Sequence, residues 1–170
     1  MAPVLETRSD CSRCAALCCI AYPSEEMPGF SAAKEAGQPC PKLGADGWCT
    51  IYARRAEEGF AGCIRFECFG AGQHVVQTLF DGRDWRDDEA LLGPMVDAFL
   101  AMRPVSDLAY LVDRALGVSP ADPTLSELKE ELADIARSRE TLADTARIAR
   151  AGQAVRRAYT SLDPAGLQKS

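Results

Sequence analysis

Cys11-Ser12-Arg13-Cys14-Ala15-Ala16-Leu17-Cys18-Cys19 packs four thiols into nine residues, and the reading of the first half of the chain turns on it. Cysteine is usually retained for its chemistry rather than its shape, so this density points to a ligand or redox function. Cys40, Cys49, Cys63 and Cys68 follow, and none comes after, so all eight cysteines lie in the first 70 of 170 residues. Ser9 or Asp10 can cap a helix running to about residue 21. On such a helix Cys11, Cys14 and Cys18 share one face, while Cys19 turns about a quarter-turn away.

Whether these are bridges or ligands depends on the redox compartment. Residues 1–10 contain no apolar signal region, and no run reaches the length of a membrane span. A cytoplasmic location is therefore expected, where thiols stay reduced and metal binding is preferred over disulfides. The apolar fraction of 47% and charged fraction of 26% are those of an ordinary globular protein, and the net charge of −6 argues against general nucleic-acid binding.

Residues 1–8 read as a loose arm. Residues 22–38, with Pro23, Pro28, Gly29 and Gly37, read as an irregular loop anchored by Phe30. Asp46-Gly47 signals a tight turn in a small hairpin that brings Cys40 and Cys49 together. Residues 53–61 predict a short charged helix, and Trp48, Tyr52, Phe66 and Phe69 an apolar sheath. From Gly70 the pattern becomes helical, starting with a short helix or connector over residues 73–80 and a turn at Asp81-Gly82. Asp84 or Asp87 caps a helix carrying Leu91, Leu92, Met95, Val96, Phe99 and Leu100, with a kink or fresh start at Gly93-Pro94. A second apolar stripe spans residues 105–116 and closes at Gly117.

After a linker at residues 119–123, Thr124-x-x-Glu127 is a capping-box signature, and another start is expected near Thr141. Residues 122–134 hold five acids and one base; residues 137–157 hold six bases and two acids. A helical hairpin with paired charges accounts for this, or a basic docking helix for an acidic protein partner.

Thiolate is a soft ligand suited to zinc, iron–sulfur clusters and copper(I). Eight cysteines suffice for two tetrahedral four-thiolate sites or one shared cluster, and spacing alone does not choose the pairing. The order Cys11-x-x-Cys14-x-x-x-Cys18-Cys19, Cys40-Pro41-x-Leu43, Gly47-x-Cys49-x-Ile51-Tyr52, Cys63 and Phe66-x-Cys68 resembles the bacterial YkgJ-type CxxCxxCC zinc/iron-chelating family over about residues 10–70. It departs by three residues rather than two before the vicinal pair, and has Ala53-Arg54 after Ile51-Tyr52 where that family has Arg-Pro. The stretch 59–73 also resembles a cysteine-rich leader of some bacterial pentapeptide-repeat proteins, although no such repeats follow. The resemblance implies metal chelation by the cysteines. A related signature occurs in flagellin lysine N-methyltransferases, which keeps an enzyme as an alternative.

His74, the only histidine, is expected at the surface or a helix start, since eight thiols already fill two sites. The acids at 81–89 suit a helix N-terminus, and Trp85 and Trp48 read as core or sheath. The chain is thus expected to be mostly α, with a metal-binding module over residues 1–80 and a helical subdomain over 81–170 packed on it. Zinc in a structural site of an adaptor protein leads. Iron or an iron–sulfur cluster in a redox or modifying enzyme, or its accessory protein, is the alternative, and metal delivery the second. The C-terminal helices are the expected protein-partner surface, with no membrane partner.

Overall fold

A computed structural model describes residues 4–25 and 27–162; the outermost parts of both expected segments, residues 1–3 and 163–170, lie outside them. The protein is mostly helical, and no strand forms among the described residues. The helices are α1 (Cys18–Ala21), α2 (Ala61–Arg65), α3 (Ala71–His74), α4 (Leu92–Val118), α5 (Pro123–Ile135), α6 (Arg139–Leu142) and α7 (Thr145–Thr160). No helix among the described residues is long and apolar enough to cross a membrane.

The axis of the molecule is α4. Met95, Phe99, Met102, Val105, Ala109, Val112 and Ala115 recur every three or four residues and are all buried, which makes one continuous apolar stripe. The two helices expected here are therefore one. The stripe keeps its register across Pro104, whose ring lies on the exposed side. Gly93-Pro94 does mark a fresh start, in the first turn of α4, after a 3-10 turn over Glu89–Leu91. That turn is capped by Asp88, which accepts from Ala90 N–H at 3.1 Å. Asp84, one of the expected caps, is instead paired with Arg86.

Helices α5 and α7 pack on α4 and on each other, burying Leu125, Leu128, Leu132, Ile135 and Val155. Asp122, not Thr124, caps α5, accepting from Thr124 and Leu125 N–H at 2.8 and 3.2 Å. Pro123 occupies the first helical position, where its missing N–H costs nothing, and so sets the cap one residue before it. The start expected near Thr141 falls earlier: Ser138 and Thr141 cap each other around α6, and Asp144 caps α7. Arg147 of α7 makes a bidentate pair with Glu131 at 2.6 and 2.7 Å and reaches Asp134 at 2.8 Å. The segregated charges thus meet, in part, across the α5–α7 hairpin.

The cysteine-rich segment sits on the same axis. Leu17, Ile20 and Ala21 join the hydrophobic cluster of α4. Tyr22 meets Phe99 edge-on at 6.0 Å, and Phe69 stacks on Tyr110 at 4.1 Å. Trp85 Nε1 donates to the Ala15 carbonyl at 2.9 Å. The expected loose arm is also tied down: Leu5 is buried and Thr7 donates to Asp113 at 2.9 Å. Residues 71–79 are helical, with α3 widening into a π-helical turn over Val75–Leu79, and Asp81-Gly82 forms the expected turn with both φ positive.

Candidate functional site

The opening cysteine run does not form one helix. Asp10 caps a 3-10 turn over Cys11–Arg13, accepting from Ser12 N–H at 3.0 Å. The chain then extends at Cys14 and reverses at Ala16, whose φ of 55° is left-handed. This reversal presents the Ala16 and Leu17 N–H groups to the Cys14 sulfur. A non-glycine residue held there costs about 1–3 kcal/mol and persists only where the surroundings enforce it. The enforcing contacts are the buried Ala15, Leu17 and Ile20, and Asp10's cap competes locally with continued helix. Only at Cys18 does α1 begin. Cys14 lies against Gly72: a Cβ there would stand 2.5 Å from the Cys14 sulfur.

Cys68 joins this neighbourhood from the loop before α3. Its sulfur is 3.0 Å from Ser9 Oγ, which also accepts from Gly70 N–H at 3.2 Å. Gln73, buried at the start of the helical half, donates to the Arg8 carbonyl at 3.1 Å and closes the same seam.

Cys19 faces a second neighbourhood. Its carbonyl accepts from Cys40 N–H at 2.9 Å, and Lys42 N–H points at the Cys40 sulfur at 3.5 Å. Gly44 N–H bonds the Trp48 carbonyl at 2.8 Å around a tight turn in which Gly47 has φ 82°. The turn expected at Asp46-Gly47 is present, as a single antiparallel bridge between Leu43 and Cys49 rather than paired strands. Cys63 lies in α2, where Phe30 packs against Gly62 as the expected anchor of its loop. The charged helix expected over residues 53–61 is replaced by a 3-10 turn at Tyr52–Arg54 and further turns, and α2 starts only at Ala61. Gly59, with φ 82°, ends these turns.

Electrostatics sort the thiols into two groups. Burial pushes Cys14 up to about 12, against its two amide donors, with Cys68 and Cys11 adding to the rise. Burial also raises Cys11, with Cys68 and then Cys19 contributing. Cys63 is raised by burial and then by Cys19, Cys40 and Cys49; Cys40 by burial and then by Cys19 and Cys49, against Lys42 N–H. The vicinal sulfurs are 4.0 Å apart. The shared thiol contact lifts Cys18 and lowers Cys19 to about 7, with Lys34 and Arg55 favouring the Cys19 anion. Cys18 also feels Cys14 and Cys68. Cys11, Cys14, Cys18 and Cys68 thus influence one another, as do Cys19, Cys40, Cys49 and Cys63, and the two neighbourhoods overlap where Cys19 also acts on Cys11.

All eight thiols are free, and among the described residues no three His, Cys, Asp or Glu side chains converge tightly enough to enclose a metal ion. The donor sets nonetheless suit one: four soft sulfurs each, with amide N–H groups that favour anionic sulfur aimed at Cys14 and Cys40. The expected sheath is half formed. Phe66 meets Tyr22 at 5.5 Å and Phe69 is stacked, but Trp48 and Tyr52 are exposed by 52% and 57%. His74 is buried rather than at the surface. Its Nε2 lies 2.8 Å from the Ala136 carbonyl, and burial depresses its pKa. Sequence reasoning missed Lys34 and Arg55, which favour the Cys19 anion; nothing in their spacing set them apart from other surface cations.

A mostly helical protein with a cysteine-rich segment seated on a long central helix is thus defined. The chain is 36% identical over 129 residues to "Uncharacterized protein YybG" of Bacillus subtilis (strain 168). The match covers 76% of this chain and 46% of that protein, so the chain spans about half the length of the curated relative it matches. No protein-family model and no solved structure matches the chain.

Proposed function

We propose that this is a metal-binding protein in which eight thiolates hold two ions in structural four-thiolate centres, zinc being the best fit. The observation that supports the reading is the gathering of eight free thiols in two overlapping neighbourhoods that meet at the vicinal Cys18–Cys19 pair. Binding draws each neighbourhood inward: four thiolates that repel one another as bare anions are brought together by a divalent cation. A closed centre of this kind supplies folding free energy to a segment with only short helices and turns. The bound metal would contribute that stabilisation and no redox chemistry of its own. Seated on α4, the loops leave Trp48, Tyr52 and Ile64 exposed, as an adaptor surface would.

A cytoplasmic setting, where the thiols stay reduced, belongs to this reading. Metal analysis of anaerobically purified protein tests it. About two zinc ions per chain, with no free thiol titre until a chelator is added, is the expected result. Brown protein with iron and acid-labile sulfide replaces it with an iron–sulfur protein. Metal-free protein with four disulfides ends the chelation reading altogether. Fast metal loss to a weak chelator without unfolding would make the chain a delivery protein instead.

A further inference from the structure

We propose that Arg103 of α4 is a positioning residue that sets Cys68 in place by gripping the two phenylalanines that flank it. For its effect on metal this rests on the four-thiolate reading above; the positioning itself does not. The Arg103 guanidinium lies 5.3 Å from the centre of the Phe66 ring and 5.9 Å from that of Phe69, both within reach of a cation–π attraction. Its Nη2 pairs with Asp107 Oδ1 at 2.9 Å, one turn further along α4. The side chain is 15% exposed, and Nη1 is buried with no hydrogen-bond partner among the described residues.

A buried donor left unpaired is unfavourable and rare, and this one is kept by the rings around it. Phe66 meets Tyr22 edge-on at 5.5 Å, and Tyr22 meets Phe99, one turn before Arg103, at 6.0 Å. Phe69 stacks on Tyr110 at 4.1 Å. Phe99, Arg103, Asp107 and Tyr110 follow one another at spacings of three or four and so share one side of α4. That side therefore holds both flanks of Cys68, and the Arg103 charge is common to the two. Phe69 has φ 46°, a left-handed conformation that a non-glycine residue keeps only where its surroundings enforce it. Arg103 and Tyr110 are among those surroundings. Removing the charge loosens both flanks of Cys68 at once and leaves the buried stripe of α4 intact, since Arg103 lies outside it.

The test uses the full chain, reduced and metal-free, without oxygen. Alkylation by iodoacetamide is followed at each cysteine by peptide mass spectrometry, alongside hydrogen exchange over residues 66–70. R103M, of similar length but uncharged, should speed alkylation of Cys68 about fivefold or more, as loss of a partly buried cation–π contact implies. Exchange over residues 66–70 should rise with it, while Cys49 alkylation and the far-ultraviolet helix signal stay unchanged. R103K, which keeps a cation over the rings, should restore most of the protection. Should R103M fail to fold, D107N decides: it leaves the guanidinium but removes its anchor, and should move Cys68 in the same direction. With cobalt(II) bound, R103M should also speed release of one ion to a chelator. Unchanged Cys68 alkylation in the deciding variant, or equal acceleration at every cysteine, overturns the positioning role and leaves metal binding standing. Faster alkylation with unchanged ion release overturns the effect on metal alone. A native chain that binds no divalent ion ends the four-thiolate reading, and the alkylation result still decides whether Arg103 positions Cys68.

Discussion

The two halves of the molecule are held by different means. Residues 71–162 place their apolar side chains at helical spacing and bury them around α4, so the hydrophobic effect stabilises them. Among the described residues, 9–70 contain only short helices and turns, with left-handed residues at Ala16, Gly29, Gly37, Gly47, Gly59, Phe69 and Gly70. Their order comes from Leu17, Ile20 and Ala21 buried against α4, hydrogen bonds to single carbonyls, and a seam of aromatic contacts with α4. One half carries its stability in its own sequence; the other borrows it from α4 and, under the proposed function, from metal.

The largest effect expected is therefore asymmetric. Stripping the metal under reducing conditions should expose residues 22–60 to protease and hydrogen exchange, while the far-ultraviolet helix signal of α4, α5 and α7 persists. Structural zinc supplies about 10–16 kcal/mol in small thiolate domains, more than a segment of this kind has from packing. Equal resistance of the segment with and without metal would break the comparison. The converse experiment is Leu132→Ala, a fully buried position in α5. It should cost about 2–5 kcal/mol by denaturant titration, with metal stoichiometry unchanged.

Gly72→Ala probes the seam between the halves. The new methyl would meet the Cys14 sulfur 2.5 Å away, with the Phe99 ring behind it at 3.8 Å. Overpacking of this kind costs about 1–3 kcal/mol, and here it also displaces the Cys14 sulfur. Loss of one chelator-resistant ion, with the second retained, is the expected reading; retention of both would separate Gly72 from the centre.

The same division explains what was legible in the sequence. The helical half announces itself by period, and Leu125, Leu128, Leu132 and Ile135 lie where the pattern puts them. Its errors are local. Pro104 does not end α4 because burial of the stripe outweighs one missing bond, and Asp122 rather than Thr124 caps α5 because Pro123 favours the first helical position. In the cysteine-rich half, residue types point to chemistry but periodicity misleads. The spacing of Cys11, Cys14 and Cys18 fits a helix face, yet their neighbourhood arises from a turn at Ala16 that places amide donors on Cys14. The angle that sets Cys19 apart belongs to a helix that does not form over Cys11–Cys18, and the bond from Cys40 N–H to the Cys19 carbonyl joins residues far apart in sequence, which no local pattern encodes.

The smallest effect tests a polar group that the helical half buries against one of its own carbonyls. His74 lies under α5's end with Nε2 at 2.8 Å from the Ala136 carbonyl, so the neutral ring with its proton on Nε2 satisfies the site. Burial lowers its pKa below the ordinary 6.5, against the carbonyl bond and Glu6, which favour the charged ring. The unfolded chain therefore takes up a proton first as pH falls. Stability from this residue is full above about 6.5 and is lost progressively below it, until the depressed native value is passed. The lowered carboxylates Asp84, Glu131 and Asp134 lose their contribution only in the more acidic carboxylate range, so the interval from about pH 6.5 to 5 isolates the histidine. Metal binding also releases protons there, so the measurement is the difference between the native chain and His74→Gln, whose amide can still donate to Ala136. That difference should shift toward the variant as pH drops across the interval; a difference independent of pH would mean that His74 keeps its ordinary pKa and is solvated after all.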